Sequence, residues 1–270
     1  MKLYVLDCGT LFMDEQVLAP GKNNATAMHK DRPAQWVMAP VTAYLVEFPG
    51  GYALYDTGLH EDTLKTHAPE QNQDGASTFV ATKEMFFPER LRHLGLGPDD
   101  ITHVVQSHLH TDHAGYMYLF KNAETIVNED EFTMGLKNWA LKADAGPYGR
   151  DDFGRFLEAD LSFSLLGAEV KQYKIAEGIT VFNFGPGHSF GNLGLFVELA
   201  GSGNYFIVSD ALYNDYVIDR LPGFVYDSIG YLKTARFITQ FAKEHEATIV
   251  YGHNRDQFTG LVKSTEGFYE

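Results

Sequence analysis

The sequence predicts an α/β (α+β) fold, a four-layer αβ/βα sandwich in which two sheets pack face to face with helices outside. Three observations carry this expectation. Short runs of β-branched and aromatic residues recur in both halves of the chain, helix-period segments separate them, and no repeat, linker or low-complexity tract marks a boundary. The 270 residues therefore read as a single domain, 1–270.

In chain order, Leu3–Leu6, Ala43–Phe48 and Tyr52–Tyr55 read as strands, the last two joined by a hairpin at Pro49-Gly50-Gly51. The polar stretch from Met13 to Ala39 has no sustained period and reads as a long surface loop. Phe87–Leu96 is helical and ends at Gly95, Gly97 and Pro98; Ile101–Gln106 follows as a buried strand. After Ala114-Gly115 come a helical turn, a strand at Thr125–Asn128 and a helix over Glu129–Leu141. Lys142–Phe163, rich in Gly, Asp and aromatics, reads as an insertion over a site. The second half gives strands at Ile179–Phe184, Leu193–Leu199, Tyr205–Val208 and Thr248–Tyr251, with a helix over Tyr231–His245.

With 44% hydrophobic and 14% aromatic residues, the chain has enough apolar surface for a sizeable core. A formal net charge of -15 would repel phosphate backbones and anionic lipid, so neither nucleic acid nor a membrane is an expected partner. No basic n-region or apolar h-region follows Met1, no stretch approaches the roughly 20 apolar residues of a bilayer span, and the lone Cys8 has no partner for an internal disulfide. These features fit a reducing, cytoplasmic location and a mature chain starting near Met1. Cys8 itself reads as a small buried hydrophobe beside the first strand.

The chemistry concentrates at His108-Leu109-His110-Thr111-Asp112-His113, directly after a Val-rich strand and before Ala114-Gly115. Residues two apart at a strand end point the same way, while Asp112 and His113 fall where the chain turns. One loop can thus feed two adjacent metals. Imidazole and carboxylate suit Zn2+ and similar divalent ions, and an open coordination position makes such a site catalytic. A His-rich turn that is merely polar surface would not need this spacing.

Ser107-His108-Leu109-His110-Thr111-Asp112-His113-Ala114-Gly115 resembles the signature loop of the metallo-β-lactamase superfamily. Gly185-Pro186-Gly187-His188-Ser189 is similar to its second histidine motif, Ser209-Asp210-Ala211 to its bridging-aspartate motif, and Tyr251-Gly252-His253 to its final ligand. The resemblance implies a metallo-β-lactamase fold holding two divalent ions, Zn2+ first, with Fe, Co or Mn accepted by the same ligands. One ion would be held by His108, His110 and His188, the other by Asp112, His113 and His253, with Asp210 bridging. The sequence adds its own support: a carboxylate after the apolar run Tyr205–Val208 is expensive unless paired or metal-bound, and His253 follows a similar run. Asp56 in Leu54-Tyr55-Asp56-Thr57-Gly58 resembles the aspartate that supports the histidine loop by hydrogen bonds. His29, His60, His67, His93, His103 and His245 lack such context and read as surface or supporting residues.

Over nearly the whole chain the resemblance is to N-acyl-homoserine lactone lactonases, the enzymes of quorum quenching. It rests on Ser209-Asp210-Ala211-Leu212-Tyr213, because these lactonases carry a tyrosine three residues after the bridging aspartate. This implies a hydrolase in which a metal-bridging hydroxide opens a small-molecule lactone. Tyr213 would donate to the developing oxyanion and Asp112 would shuttle the proton. Thr111 departs from the Phe that many of these lactonases have, which puts the substrate in question. Met13–Trp36 and Trp139–Phe156 supply apolar residues for an acyl-chain channel. Other superfamily reactions stay open, on another lactone, an aryl ester, an organophosphate or a thioester. Asp210 and the missing secretory signal weaken a β-lactamase. His110, where glutamate is usual, weakens a flavodiiron reading. A non-enzymatic metal-binding protein would be missing ligands. A monomer or a homodimer is compatible with all of this.

Overall fold

The computed structural model describes residues 1–143 and 146–270. Its first sheet has seven strands: β1 (Lys2–Asp14), β2 (Trp36–Phe48), β3 (Gly51–Tyr55), β4 (Ser77–Val80), β5 (His103–Val105), β6 (Glu124–Asn128) and β7 (Ser162–Leu166). They run in the order β4-β1-β2-β3-β5-β6-β7. The second sheet holds β8 (Gln172–Ala176), β9 (Ile179–Gly185), β10 (Asn192–Leu199), β11 (Gly203–Ser209) and β12 (Ala247–Tyr251), in the order β12-β11-β10-β9-β8. The helices are α1 (Glu15–Leu18), α2 (Leu64–His67), α3 (Phe87–His93), α4 (Thr111–Ala114), α5 (Glu129–Ala140), α6 (Arg150–Glu158), α7 (Ser228–Glu244) and α8 (Arg255–Gly260).

Strand periodicity explains the layering. Leu3 and Val5 of β1, Tyr44 and Val46 of β2, and Ala53 and Tyr55 of β3 meet Val181, Leu195, Val197 and Ile207 of the other sheet in one buried cluster. Their neighbours Leu6, Leu45 and Leu54 face the opposite way, with Phe87 and Leu91 of α3. On the second sheet Phe182, Phe196 and Phe206 alternate outward onto Tyr231, Ala235 and Ile238 of α7, with Phe241 4.8 to 5.1 Å from all three phenylalanine rings. Both sheets are therefore covered on both faces, as the sequence led us to expect.

The Met13–Ala39 loop is a correction. β1 runs on to Asp14 and β2 begins at Trp36, so the two pair from Lys2↔Glu47 to Asp14↔Trp36, and α1 interrupts the connection. The polar composition of this stretch concealed a ribbon that leaves the sandwich: Asp7/Gly9 carries the register shift that bends it, and β4, unforeseen in the sequence, pairs with its far half. β7, β8, α6 and α8 were also unforeseen; β7 and β8 are short edge strands of five residues, and α6 is strongly charged. Within the Lys142–Phe163 insertion, Asp144 and Ala145 lie outside the described residues; the remainder contains α6. Cys8 is buried on β1, where burial pushes its thiol far up. Among the described residues no helix is long and apolar enough to cross a membrane.

Candidate metal centre

Strand ends deliver the site. Asp56 follows β3, His108 follows β5, His188 the turn after β9, Asp210 follows β11 and His253 follows β12. This places them in the crevice beyond the strands' carboxyl ends. Two of the positions are strained: Asp56 has φ 62° and Ser209, next to Asp210, φ 47°. Non-glycine residues hold this left-handed conformation at a cost of about 1–3 kcal/mol, and such strain clusters at functional sites. Gly252 is obligatory for a different reason, since a Cβ there would come 2.3 Å from Asp210 Oδ1.

The seven residues expected as ligands assemble into two buried groups, His108, His110, His188 and Asp210 in one, Asp112, His113 and His253 in the other. His110 Nδ1 lies 3.0 Å from both His108 Nε2 and His188 Nε2. Asp210 Oδ2 is 3.3 Å from His188 Nε2 and 3.8 Å from His108 Nε2. Its other oxygen, Oδ1, is 3.2 Å from His253 Nε2 and 3.7 Å from His113 Nε2. Asp112 Oδ2 closes the second group at 3.4 Å from His113 Nε2 and 3.7 Å from His253 Nε2. Asp210 thus offers one oxygen to each group.

The outer nitrogens of four histidines are already committed. His113 Nδ1 donates to Asp56 Oδ2 (2.9 Å) and His253 Nδ1 to the Pro40 carbonyl (3.0 Å). Ser107 Oγ donates to Asp56 Oδ2 (2.8 Å), leaving its lone pair for His108 Nδ1 (2.9 Å). His188 Nδ1 pairs with the Tyr213 hydroxyl at 3.0 Å. The acceptors Asp56, Pro40 and Ser107 fix Nδ1 as the donor on His113, His253 and His108, so that in the neutral ring Nε2 carries the lone pair. Asp56, as expected, is the hub, accepting also from Ser107 N and Gln106 Nε2.

This arrangement fits cations. Three ring nitrogens converge on one point, where a single proton cannot bridge every pair, and His113 Nε2 and Asp210 Oδ1 are buried without a hydrogen bond. Burial, reinforced by His113, His110 and His188, holds His108 well below the usual histidine range, and burial takes His188 down to about 4. Both rings are neutral ligands near pH 7. On Asp112, burial is outweighed by His113 and His253, which bring its carboxyl down to about 2. On His113, burial is overcome by Asp112, Asp210 and Asp56, which raise it; divalent ions would replace that proton.

A cavity of about 660 Å³ opens over both groups and is lined by His110, Asp112, His188, Asp210, Tyr213 and His253. One side is apolar, with Leu11, Met13, Val17, Phe79 and Phe224. The other is polar: Thr111 Oγ1 donates to Asp152 Oδ2 (2.6 Å), and Arg155 reaches Asp152 Oδ1 and Asp62 Oδ2, both at 2.7 Å. Of the two stretches expected to form an acyl channel, Met13 and Val17 from the first line the cavity, and Gly146–Asp152 with Arg155 from the second. Trp139 and Phe156 do not; Phe156 packs against Phe153 and Trp139 lies under Arg150.

Of the remaining histidines, His67 lines the cavity and His60 is buried, its Nδ1 accepting from Asp62 N; the others lie away from the cavity lining. Sequence reasoning missed Gln106, whose Nε2 also reaches the His108 and His113 carbonyls, and Thr57, whose hydroxyl caps the His113 carbonyl. Both neighbour recognised residues, Ser107 and Asp56. It missed Glu131 as well, which lies far along the chain in α5 and carries no local signal.

The description "Metallo-beta-lactamase superfamily" matches residues 37–253. The chain is 38% identical, over all of its length and 99% of the relative, to an N-acyl homoserine lactonase, AiiB, of Agrobacterium fabrum (strain C58 / ATCC 33970). It is 29% identical, over all of its length and 98% of the relative, to an N-acyl homoserine lactonase, AttM, of Rhizobium radiobacter. Among solved structures it is similar to an N-acyl homoserine lactone hydrolase with the product N-hexanoyl-L-homoserine bound at the catalytic metal centre, at TM-score 0.81 and 25% identity, with 98% of each chain covered. The chain belongs to the metallo-β-lactamase superfamily.

Proposed function

We propose that residues 1–270 form one hydrolase domain that opens the lactone ring of N-acyl-homoserine lactones at a dinuclear centre. The observation that carries this reading is the carboxylate of Asp210, turned with one oxygen to each ligand group at the floor of a half-apolar cavity. The whole-length similarity to named lactonases supports the substrate class.

His108, His110, His188 and Asp210 would hold one ion, and Asp112, His113, His253 and the second oxygen of Asp210 the other. When bound, such ions lower the pKa of water and polarise a carbonyl. Zn2+ is the first candidate, with Fe, Co and Mn set by availability. Asp112, ionised and lining the cavity, accepts the proton of the attacking water and returns it to the leaving alkoxide. Burial, with Asp210 adding to it, lifts the Tyr213 phenol well above its usual range, so it stays protonated and donates to the charge developing on the substrate oxygen. The C–O bond of the ring breaks and a carboxylate and a hydroxyl are formed. Leu11, Met13, Val17, Phe79 and Phe224 offer apolar surface to an acyl chain. The net charge of -15 and the buried thiol of Cys8 favour a cytoplasmic enzyme without nucleic-acid or membrane partners.

The test is ring opening of acyl-homoserine lactones of several chain lengths, followed by acid release. We expect one proton per turnover. Turnover of an aryl ester or thioester with none of these lactones would overturn the reading.

A further inference from the structure

Three separate loops converge on a carboxylate that the chemistry above does not use. Glu131 is 0% exposed, at the third position of α5, where a glutamate ordinarily folds back onto the cap of its own helix. Here both oxygens are spent elsewhere. Oε1 accepts from Leu109 N (2.9 Å), the residue between His108 and His110, and from the Tyr148 hydroxyl (2.9 Å). Oε2 accepts from Gly191 N (3.0 Å), in the loop that carries His188. Tyr148 itself stands over the centre, its ring 4.6 Å from that of His110 and 5.6 Å from that of Phe190. The next residue after Tyr148's neighbour Gly149 starts α6, whose Asp152 and Arg155 form the polar side of the cavity.

The three histidines of the first ligand group come from just these two loops, which follow strands of different sheets. The second group has other anchors, Asp56 for His113 and Pro40 for His253. No side chain other than Glu131 hydrogen-bonds the backbone of both histidine loops among the described residues.

We propose that Glu131 is a positioning residue that sets the His108/His110 loop against the His188 loop, and so fixes the first ligand group, while tying the cavity wall to it through Tyr148. This rests on the dinuclear reading. A carboxylate can accept from donors on both oxygens; a glutamine turns one of them into an N–H2 that faces another N–H. Glu131→Gln therefore releases one of the two loops while changing neither a ligand nor any group that meets substrate.

The experiment titrates metal-stripped protein with Co2+, following the visible d–d bands and the binding isotherm, for the unaltered chain, E131Q, E131D and Y148F. The unaltered chain should take up two equivalents; if it does not, the dinuclear reading fails and not this one. In E131Q one site should weaken at least tenfold with altered bands, the other staying within about twofold, consistent with the 10–100-fold cost usual for groups that orient ligands. E131D, which keeps both acceptors on a shorter stem, should recover part of the loss. Y148F should bind both ions as the unaltered chain does and raise KM with kcat little changed. Unaltered Co2+ affinities and bands in E131Q overturn the proposal, and so does equal weakening of both sites. Should E131Q fail to fold by circular dichroism, E131D decides on the same criteria; collapse of both assigns Glu131 to the scaffold and overturns the proposal too.

Discussion

The floor and the wall of the cavity are built differently. Floor residues His108, Asp210 and His253 follow β5, β11 and β12; all three are buried, and the two histidines are tied outward to Ser107 and the Pro40 carbonyl. Wall residues Asp62, Thr111, Asp152 and Arg155 come from short helices and turns, and Arg155 and Asp62 are partly exposed. Reaction chemistry thus rests on the rigid part of the fold and substrate choice on the part that loops can vary.

The comparison breaks most readily at the floor. His188→Ala should remove one ion and lower kcat/KM by about 10³-fold or more, since the Lewis-acid contribution is several kcal/mol and each 1.4 kcal/mol is a decade. Metal analysis and kinetics on the same sample check it. Tyr213→Phe sits at the boundary. It should lower kcat by roughly 10- to 100-fold with two ions retained, and an unaltered kcat would remove the phenol from the chemistry.

Wall variants should act on binding. Thr111→Val removes the donor to Asp152 and should shift KM for long-chain against short-chain lactones by about fivefold, or about 1 kcal/mol, with kcat and metal content preserved. A proportional fall in kcat would place Thr111 in the floor instead. A further wall prediction concerns stability rather than activity, and its dependence on pH. Burial pushes Asp152 up to about 6 despite Thr111 and Arg155. Between pH 4 and 6 the folded chain then holds a proton that the unfolded chain has released, so this group's contribution to stability falls as pH rises through that window. Asp152→Asn should flatten that part of the stability profile; denaturant melts at a series of pH values measure the difference from the unaltered chain.

The same contrast decides what was legible in the sequence. The floor could be read because each ligand is announced by its own stretch of chain, an apolar strand followed by His, Asp or Gly, as in Val104-Val105 before His108 and Ile207-Val208 before Asp210. Asp56 was legible for the same reason. The sandwich followed from alternating runs such as Tyr44–Val46 and Phe182–Phe184. The wall could be read only as stretches, Met13–Trp36 and Trp139–Phe156, and not in its contacts, because Thr111, Asp152, Arg155 and Asp62 meet only through tertiary packing, and α6 is a charged segment whose buried face is two phenylalanines, Phe153 and Phe156, and one aspartate. β4 was hidden likewise: Ser77–Val80 becomes a strand by pairing with the outer half of β1. Glu131 joins loops 22 and 60 residues away, a separation at which sequence patterns say nothing.

The central claim is that Asp210 stands between two ions. Anomalous scattering from crystals grown with Zn2+, recorded at the zinc edge, tests it directly. Two peaks should be found, one within reach of His108, His110 and His188, the other of Asp112, His113 and His253, with one Asp210 oxygen toward each. A single peak, or two peaks that Asp210 does not separate, would contradict the dinuclear account.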